Sequence, residues 1–110
     1  MNIHTNFLTS DGATFRFRRK HPSESFAGMS GVFAVTTIID FEVVALQFIA
    51  VNDLWRADEC ALQFTPSYYL MARSAKLGVA IYMMPGSTYE EREILAMGLN
   101  DALRGIAKAA

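Results

Sequence analysis

The stretch GVFAVTTIIDFEVVALQFIAV, residues 31–51, is apolar and rich in β-branched side chains on both sides of a short break at Asp40-Phe41. Continuous runs of this kind are typical of strands that are covered on both faces of a sheet. Short connections are common between neighbouring strands, and the break is short enough to be one. The stretch therefore predicts two strands joined as a hairpin.

Upstream, the segment TFRFR (residues 14–18) alternates apolar and basic side chains. Successive side chains of a strand point to opposite faces, so this alternation predicts a strand with phenylalanines on one face and arginines on the other. The segment before it shows no such pattern, and we expect His4 to lie in a loose N-terminal region.

Downstream, helical and extended patterns alternate. An Asn52-Asp53 cap, a Thr65-Pro66 start and a stop at Gly78 predict two helices, over residues 54–62 and 65–77. A short apolar strand, residues 79–84, is then expected before a long helix. That helix can begin with a capping box formed by Ser87 with Glu90 or by Thr88 with Glu91. One apolar stripe follows along it: Leu95, Leu99, Ala102, Leu103 and Ile106.

The predicted element order is β-β-β-α-α-β-α, within a single domain that covers residues 1–110. We therefore expect an α+β fold, with a small, mainly antiparallel sheet and helices packed against it.

Composition excludes several classes of protein. The chain has 110 residues, 52% of them hydrophobic, and a net charge of −1. This hydrophobic content is typical of a folded domain and not of a disordered chain, and the charge is unlike that of proteins that coat nucleic acid. The single cysteine, Cys60, excludes an internal disulfide. The sequence contains no predicted secretory signal and no apolar run of the roughly 20 residues that a spanning helix needs, so we expect a cytoplasmic protein.

Two groups of side chains are candidates for binding. The first is the basic cluster, defined as Arg16, Arg18, Arg19 and Lys20. It could contact phosphate or an acidic protein surface; if its strand lies at a sheet edge, it could instead prevent further strands from pairing. The second is Trp55 beside Arg56, because tryptophan and arginine often anchor interfaces. Trp55 could equally pack on the sheet.

Three short motifs resemble those of the GIY-YIG nuclease family. Gly31-Val32-Phe33 resembles the first tripeptide and Phe48-Ile49-Ala50 the second. Asp53-Leu54, followed by Arg56, is similar to the opening of the family's first helix. The resemblance covers roughly residues 31–104 and implies a GIY-YIG-like fold for this core.

The family cuts DNA with a divalent metal, the motif tyrosines, a helical arginine and a glutamate on a later helix. Here the resemblance puts Phe33 and Phe48 at the tyrosine positions, and a phenyl ring cannot transfer a proton. Alanines take two more positions: Ala50 stands for the motif glycine and Ala96 for the metal-binding glutamate. Arg56 lies near the arginine position at shorter spacing, and the nearest acid is Glu93, one turn before Ala96. We therefore expect the fold without catalysis, and neither a metal nor a cofactor.

Three functions remain open. The first is a non-catalytic module that docks onto a protein partner and inhibits or assists a nucleic-acid-handling complex. The second is a divergent DNA endonuclease that uses Mg²⁺ or Mn²⁺ with Arg56, Glu93 and Tyr82 or Tyr89. The third is a nucleic-acid binder that acts through the basic cluster without cutting. No membrane partner is expected, and the hydrophobic content is compatible with a homodimer.

Overall fold

A computed structural model of the chain describes residues 3–21, 23–57 and 77–109. They form five strands, a short 3-10 helix and one long helix: β1 (His4–Leu8), β2 (Thr14–Lys20), β3 (Gly31–Ile39), β4 (Glu42–Val51), the 3-10 helix (Leu54–Arg56), β5 (Gly78–Met83) and α1 (Tyr89–Ala109). The predicted α+β class is confirmed.

The five strands make one sheet in the order β1-β2-β5-β3-β4, and all neighbours are antiparallel. β2 therefore lies between β1 and β5, which corrects the suggestion that the basic strand is a sheet edge. The predicted strand over residues 79–84 is present, shifted by one residue as β5. Most of the two predicted helices, over residues 54–62 and 65–77, lies outside the described residues. In the described part of the first, the structure has the 3-10 helix Leu54–Arg56.

The expectation of a loose N-terminal region is wrong. β1 pairs with β2 from His4 opposite Arg18 to Leu8 opposite Thr14. Its Phe7 ring meets the Phe17 ring edge-on at 5.3 Å between centroids. Such contacts bury a large apolar area, so Phe7 helps to hold the strand on the core.

The predicted hairpin of β3 and β4 is confirmed, and it contains a bulge. The register runs from Ile39 opposite Glu42 at the turn to Gly31 opposite Val51 at the far end, and it shifts by one residue between Val35 and Thr36. A bulge of this kind places one extra residue in one strand. It changes which side chains of β4 share a face with those of β3.

Both faces of the sheet are covered, so the apolar run of β3 divides between two clusters. On the face covered by α1, the buried residues are Phe17, Val32, Ala34, Ala45, Phe48, Ala80, Leu95, Ala96 and Leu99. On the opposite face they are Phe33, Val35, Leu54, Ala57, Val79 and Ile81. This two-sided burial is the reason that β3 reads as continuous apolar sequence.

α1 packs through the predicted stripe. Leu95 and Leu99 are buried and Leu103 packs against them, whereas the side chain of Ile106 lies outside the described part. Of the two possible capping boxes, Thr88 and Glu91 form one. The Glu91 amide donates to Thr88 Oγ1 at 3.1 Å, and the Thr88 amide donates to Glu91 Oε1 at 3.0 Å.

Asn100 joins α1 to the exposed edge of β4. Its Oδ1 accepts a hydrogen bond from the Phe48 amide at 2.9 Å, and its Nδ2 donates to the Phe48 carbonyl oxygen at 2.9 Å. The side-chain amide thus takes the place of a neighbouring strand at this point. It satisfies backbone groups that an edge strand would otherwise leave unpaired.

Candidate functional site

The two motif phenylalanines do not share a site. Phe33 lies opposite Ile49 in the hairpin and is buried in the cluster away from α1. Phe48 lies opposite Ala34 and is buried under α1. Residues directly opposite each other share a face, so the two rings point to opposite sides of the sheet. In the register that the turn sets, Phe33 and Phe48 would pair directly; the bulge separates them.

The two alanines at positions that the resemblance assigns are also apolar packing positions. Ala96 is buried in the same cluster as Phe48, and Ala50 packs against that cluster. Glu93 is exposed on α1, and the side chain of Arg56 lies outside the described part. Within residues 3–21, 23–57 and 77–109, no three histidine, cysteine or acidic side chains are grouped so that they could hold a metal ion.

The tyrosines of the endonuclease hypothesis lie apart in different surroundings. Tyr82 is half-buried, and its ring is stacked on that of Phe17 at 5.5 Å. Tyr89 is partly exposed in the first turn of α1, with the Arg92 guanidinium 5.7 Å from its ring centre. Aromatic stacking and a cation–π contact account for the two rings.

The basic cluster divides between the two faces of β2. Arg16 and Arg18 share a face as predicted, because they lie two residues apart on the strand, while Arg19 points to the opposite face. The Arg18 guanidinium lies 2.5 Å from Glu24 Oε2 and 5.5 Å from the centre of the Phe26 ring. Lys20 is buried. The four charges therefore do not form one continuous basic surface.

Trp55 is 54% exposed in the 3-10 helix that follows β4. Its backbone amide donates to Asp53 Oδ1 at 2.9 Å, and the same oxygen accepts from the Gly28 amide at 3.2 Å. The loop before β3 and the chain after β4 are thus tied together. Trp55 stays a candidate contact residue.

Arg92 is a polar site that sequence reasoning missed. Its side chain is only 4% exposed, and Nη1 donates to the Ser87 carbonyl oxygen at 2.6 Å and to Ser87 Oγ at 3.0 Å. Nη2 donates to Asn52 Oδ1, so the guanidinium links the start of α1 to the end of β4. Its Nε is buried and has no hydrogen-bond partner in the described structure. The sequence does contain a signal for this buried arginine, because it stands three residues before Leu95 and so on the apolar face of the helix.

The most exposed aromatic side chain in the described structure lies at the tip of the β3–β4 hairpin. Phe41 is fully exposed and Ile39 is 49% exposed, and the intervening Asp40 and the following Glu42 are exposed carboxylates. We call these four residues, Ile39 to Glu42, the hairpin tip. Beyond the pair of Thr36 with Gly78, the described residues of β3 pair only with β4.

The backbone of the hairpin tip is unusual. Asp40 has φ 51° and Phe41 has φ 67°, both in the left-handed region. Positive φ at both central positions is the mark of a type I′ hairpin turn, in which Asn-Gly and Asp-Gly are strongly preferred. A bulky residue in this conformation is a genuine outlier. The signal in the sequence was a phenylalanine where the turn prefers glycine.

Comparison of the chain with protein-family models, with curated proteins and with solved structures gives no match. None of the helices in the described residues has both the length and the hydropathy of a membrane span.

The capping box of α1 makes stability depend on pH. Hydrogen bonds from the Thr88 amide, and then from its hydroxyl, hold the pKa of the Glu91 carboxyl below its ordinary value of 4.5. A lowered pKa in the folded state contributes stability above the ordinary value, and this contribution is lost as pH falls through the lowered one. We expect chemical unfolding to show that Glu91→Gln destabilises the protein at pH 7 and that the difference from wild type shrinks on acidification. Thr88→Ser, which keeps both donors, should follow wild type; a Glu91→Gln difference that does not change with pH would exclude the linkage.

Proposed function

We propose that this chain is a non-catalytic, cytoplasmic docking module that binds a protein partner through the hairpin tip. The observation that carries the proposal is the full exposure of Phe41 in a left-handed backbone conformation. Strained residues persist where the surrounding structure holds them, and they cluster at binding sites and active sites.

Energetics support an anchor role for this ring. Moving a phenylalanine side chain from water into an apolar site is favourable by about 1.5–3 kcal/mol. This free energy is available for binding because Phe41 is exposed in the free protein. Aromatic side chains that fill a partner's pocket are typical centres of protein interfaces. The ring is presented by a hydrogen-bonded hairpin, and this pairing limits the chain entropy that is lost on binding.

The carboxylates of the hairpin tip indicate the charge of the partner's surface. Asp40 and Glu42 flank the ring, so the tip is an apolar side chain between two carboxylates. A complementary surface is an apolar pocket with lysines or arginines at its rim. Clustered lysines and arginines mark surfaces that bind nucleic acid, so a partner with such a rim fits a role in inhibiting or assisting a nucleic-acid-handling complex.

The resemblance to the GIY-YIG family remains part of the proposal, as a scaffold without the reaction. Burial of Phe33, Phe48 and Ala96 supports the absence of the reaction, since none of these positions offers an acid or a hydroxyl to a substrate. The endonuclease alternative would need Glu93, which is exposed and lies outside these clusters.

Supercoiled plasmid incubated with the pure chain and Mg²⁺ or Mn²⁺ is expected to stay intact, because a hard cation needs oxygen ligands that these buried positions do not supply. The incubation uses a high protein concentration, and gel electrophoresis then measures the fraction of plasmid that is cut. Cleavage that disappears in Glu93→Ala would establish the endonuclease instead.

Site-specific photo-cross-linking tests the docking proposal. The photoreactive analogue p-benzoylphenylalanine is placed at position 41 or, as a control, at the exposed position Met97 of α1, in cells that express the chain. A discrete adduct is expected from position 41 only, with a protein whose cross-linked peptide comes from a basic surface. No adduct, or the same adducts from both positions, would contradict the proposal.

A further inference from the structure

A groove lies at the end of the sheet opposite the hairpin tip. It has a volume of about 480 Å³ and opens between the β1–β2 turn, the end of β5 and the first half of α1. β3 begins beside Met83 at this end and runs away from it to the tip. The groove is therefore a surface separate from that of the proposed function.

The floor of the groove is apolar. Phe15, Met84 and Leu95 line it, and Ile94 stands at its margin with 63% of its surface exposed. An isoleucine this exposed beside an open apolar surface is available for burial by a ligand. The volume lies in the range typical of small-ligand pockets and suits one or two large side chains.

The walls of the groove are held in place. The Ser10 amide in the β1–β2 turn donates to the Gly98 carbonyl oxygen of α1 at 3.1 Å. A Cβ added at Gly98 would lie 3.3 Å from Thr9 Cγ2, so the helix and the turn are in close contact there. The groove thus exists before anything binds, and a ligand does not have to form it.

The charges at the groove have one sign. Asp11 and Glu91 line it, and none of the described lining residues is a lysine or arginine. Asp11 Oδ1 accepts from the Thr9 hydroxyl and from the Ala13 amide, which lowers the pKa of its carboxyl. The capping box lowers the pKa of Glu91 as well. Both groups are therefore negatively charged at neutral pH.

We propose that this groove binds a short segment of a partner protein in which an apolar side chain stands next to a lysine or arginine. The apolar side chain covers Ile94 and occupies the floor formed by Phe15 and Leu95. The cationic side chain lies between the carboxylates of Asp11 and Glu91. Burial supplies most of the affinity, and the two carboxylates select a cationic neighbour over an acidic one.

The test is a pair of NMR titrations of the full ¹⁵N-labelled chain. The probes are two capped dipeptides that differ only in charge, acetyl-Trp-Arg-amide and acetyl-Trp-Glu-amide. Saturable shifts at Ala13, Ile94 and Gly98 are expected with the cationic probe, with a dissociation constant at least about threefold lower than for the acidic one, as weak exposed charge pairs allow. Equal affinities, shifts outside the groove, or no saturation at several millimolar would overturn the proposal.

A charge-neutral variant makes the test specific. The double substitution Asp11→Asn and Glu91→Gln keeps a hydrogen-bond acceptor at each position, and a capping box accepts glutamine. It should remove the preference for the arginine probe. Glu90→Gln, on the same turn of α1 but not in the groove, is the matched control and should keep the preference. A preference that survives in the double variant would show that the carboxylates do not select the ligand.

Discussion

Replacing Gly31 by alanine is expected to destabilise the fold by about 3 kcal/mol or more, at the upper end of what overpacking costs. A Cβ at this position would lie 2.1 Å from the carbonyl oxygen of Tyr82 and 3.2 Å from Leu54 Cδ1. Gly31 pairs with Val51 on one side and with Met83 on the other, so neither the backbone of β3 nor that of β5 can move without breaking a ladder.

Urea unfolding followed by circular dichroism measures this loss, and Gly105→Ala is the matched control. Gly105 lies in α1 with nothing within 4 Å of its added Cβ. Alanine is favoured over glycine inside a helix, so this variant should be more stable by about 0.5–1 kcal/mol. If Gly31→Ala unfolded at the wild-type urea concentration, β3 and β5 could not lie as close as the structure has them.

Replacing Phe41 by glycine is expected to make the protein more stable while removing its proposed binding anchor. A side chain in the left-handed conformation costs roughly 1–2 kcal/mol, and glycine removes that cost. Asp-Gly is moreover a preferred pair for a two-residue hairpin turn. Gains in stability at the expense of function are typical where a binding site holds strain.

The variant Phe41→Ala distinguishes the effect of the backbone conformation on stability from the effect of the ring on binding. Alanine keeps a Cβ at φ 67°, so this variant should unfold at about the wild-type urea concentration and yet lack the anchor. Equal stability of the alanine and glycine variants would show that Phe41 is not strained.

The centre of the fold was predictable because its sequence pattern has one physical cause. β3 is buried on both faces, and only continuous apolar sequence satisfies two cores. The start of α1 was predictable to within one residue, since Ser87 with Glu90 and Thr88 with Glu91 both stand at the spacing of a capping box. The hydrogen bonds of the structure select the second pair. In both cases the deciding pattern lies within one short stretch of the chain.

Strand neighbours could not be predicted in the same way. β1 carries one large apolar side chain facing the core, and its pairing depends on β2 rather than on its own pattern. The position of β2 inside the sheet depends on β5, which is far away in sequence. Local alternation determines the faces of a strand but not what lies beside it.

The prediction that Phe33 and Phe48 belong to one site was wrong for a more specific reason. The turn at Asp40 and Phe41 sets a register in which Phe33 would face Phe48, and one bulge in β4 reverses the face of Phe48. A one-residue shift changes the face of every residue beyond it. Glycine often marks a bulge, but the sequence has no glycine near this one. The separation of the two rings was therefore visible only in the structure.

The most direct test of the docking account starts from the partner that cross-linking identifies, purified as a free protein. Titration calorimetry then measures its affinity for wild type and for Phe41→Gly. Loss of a central aromatic anchor typically costs about 2 kcal/mol or more, so we expect the variant to bind at least about 30-fold more weakly although it is more stable. Equal affinity of the two proteins for this partner would contradict the account.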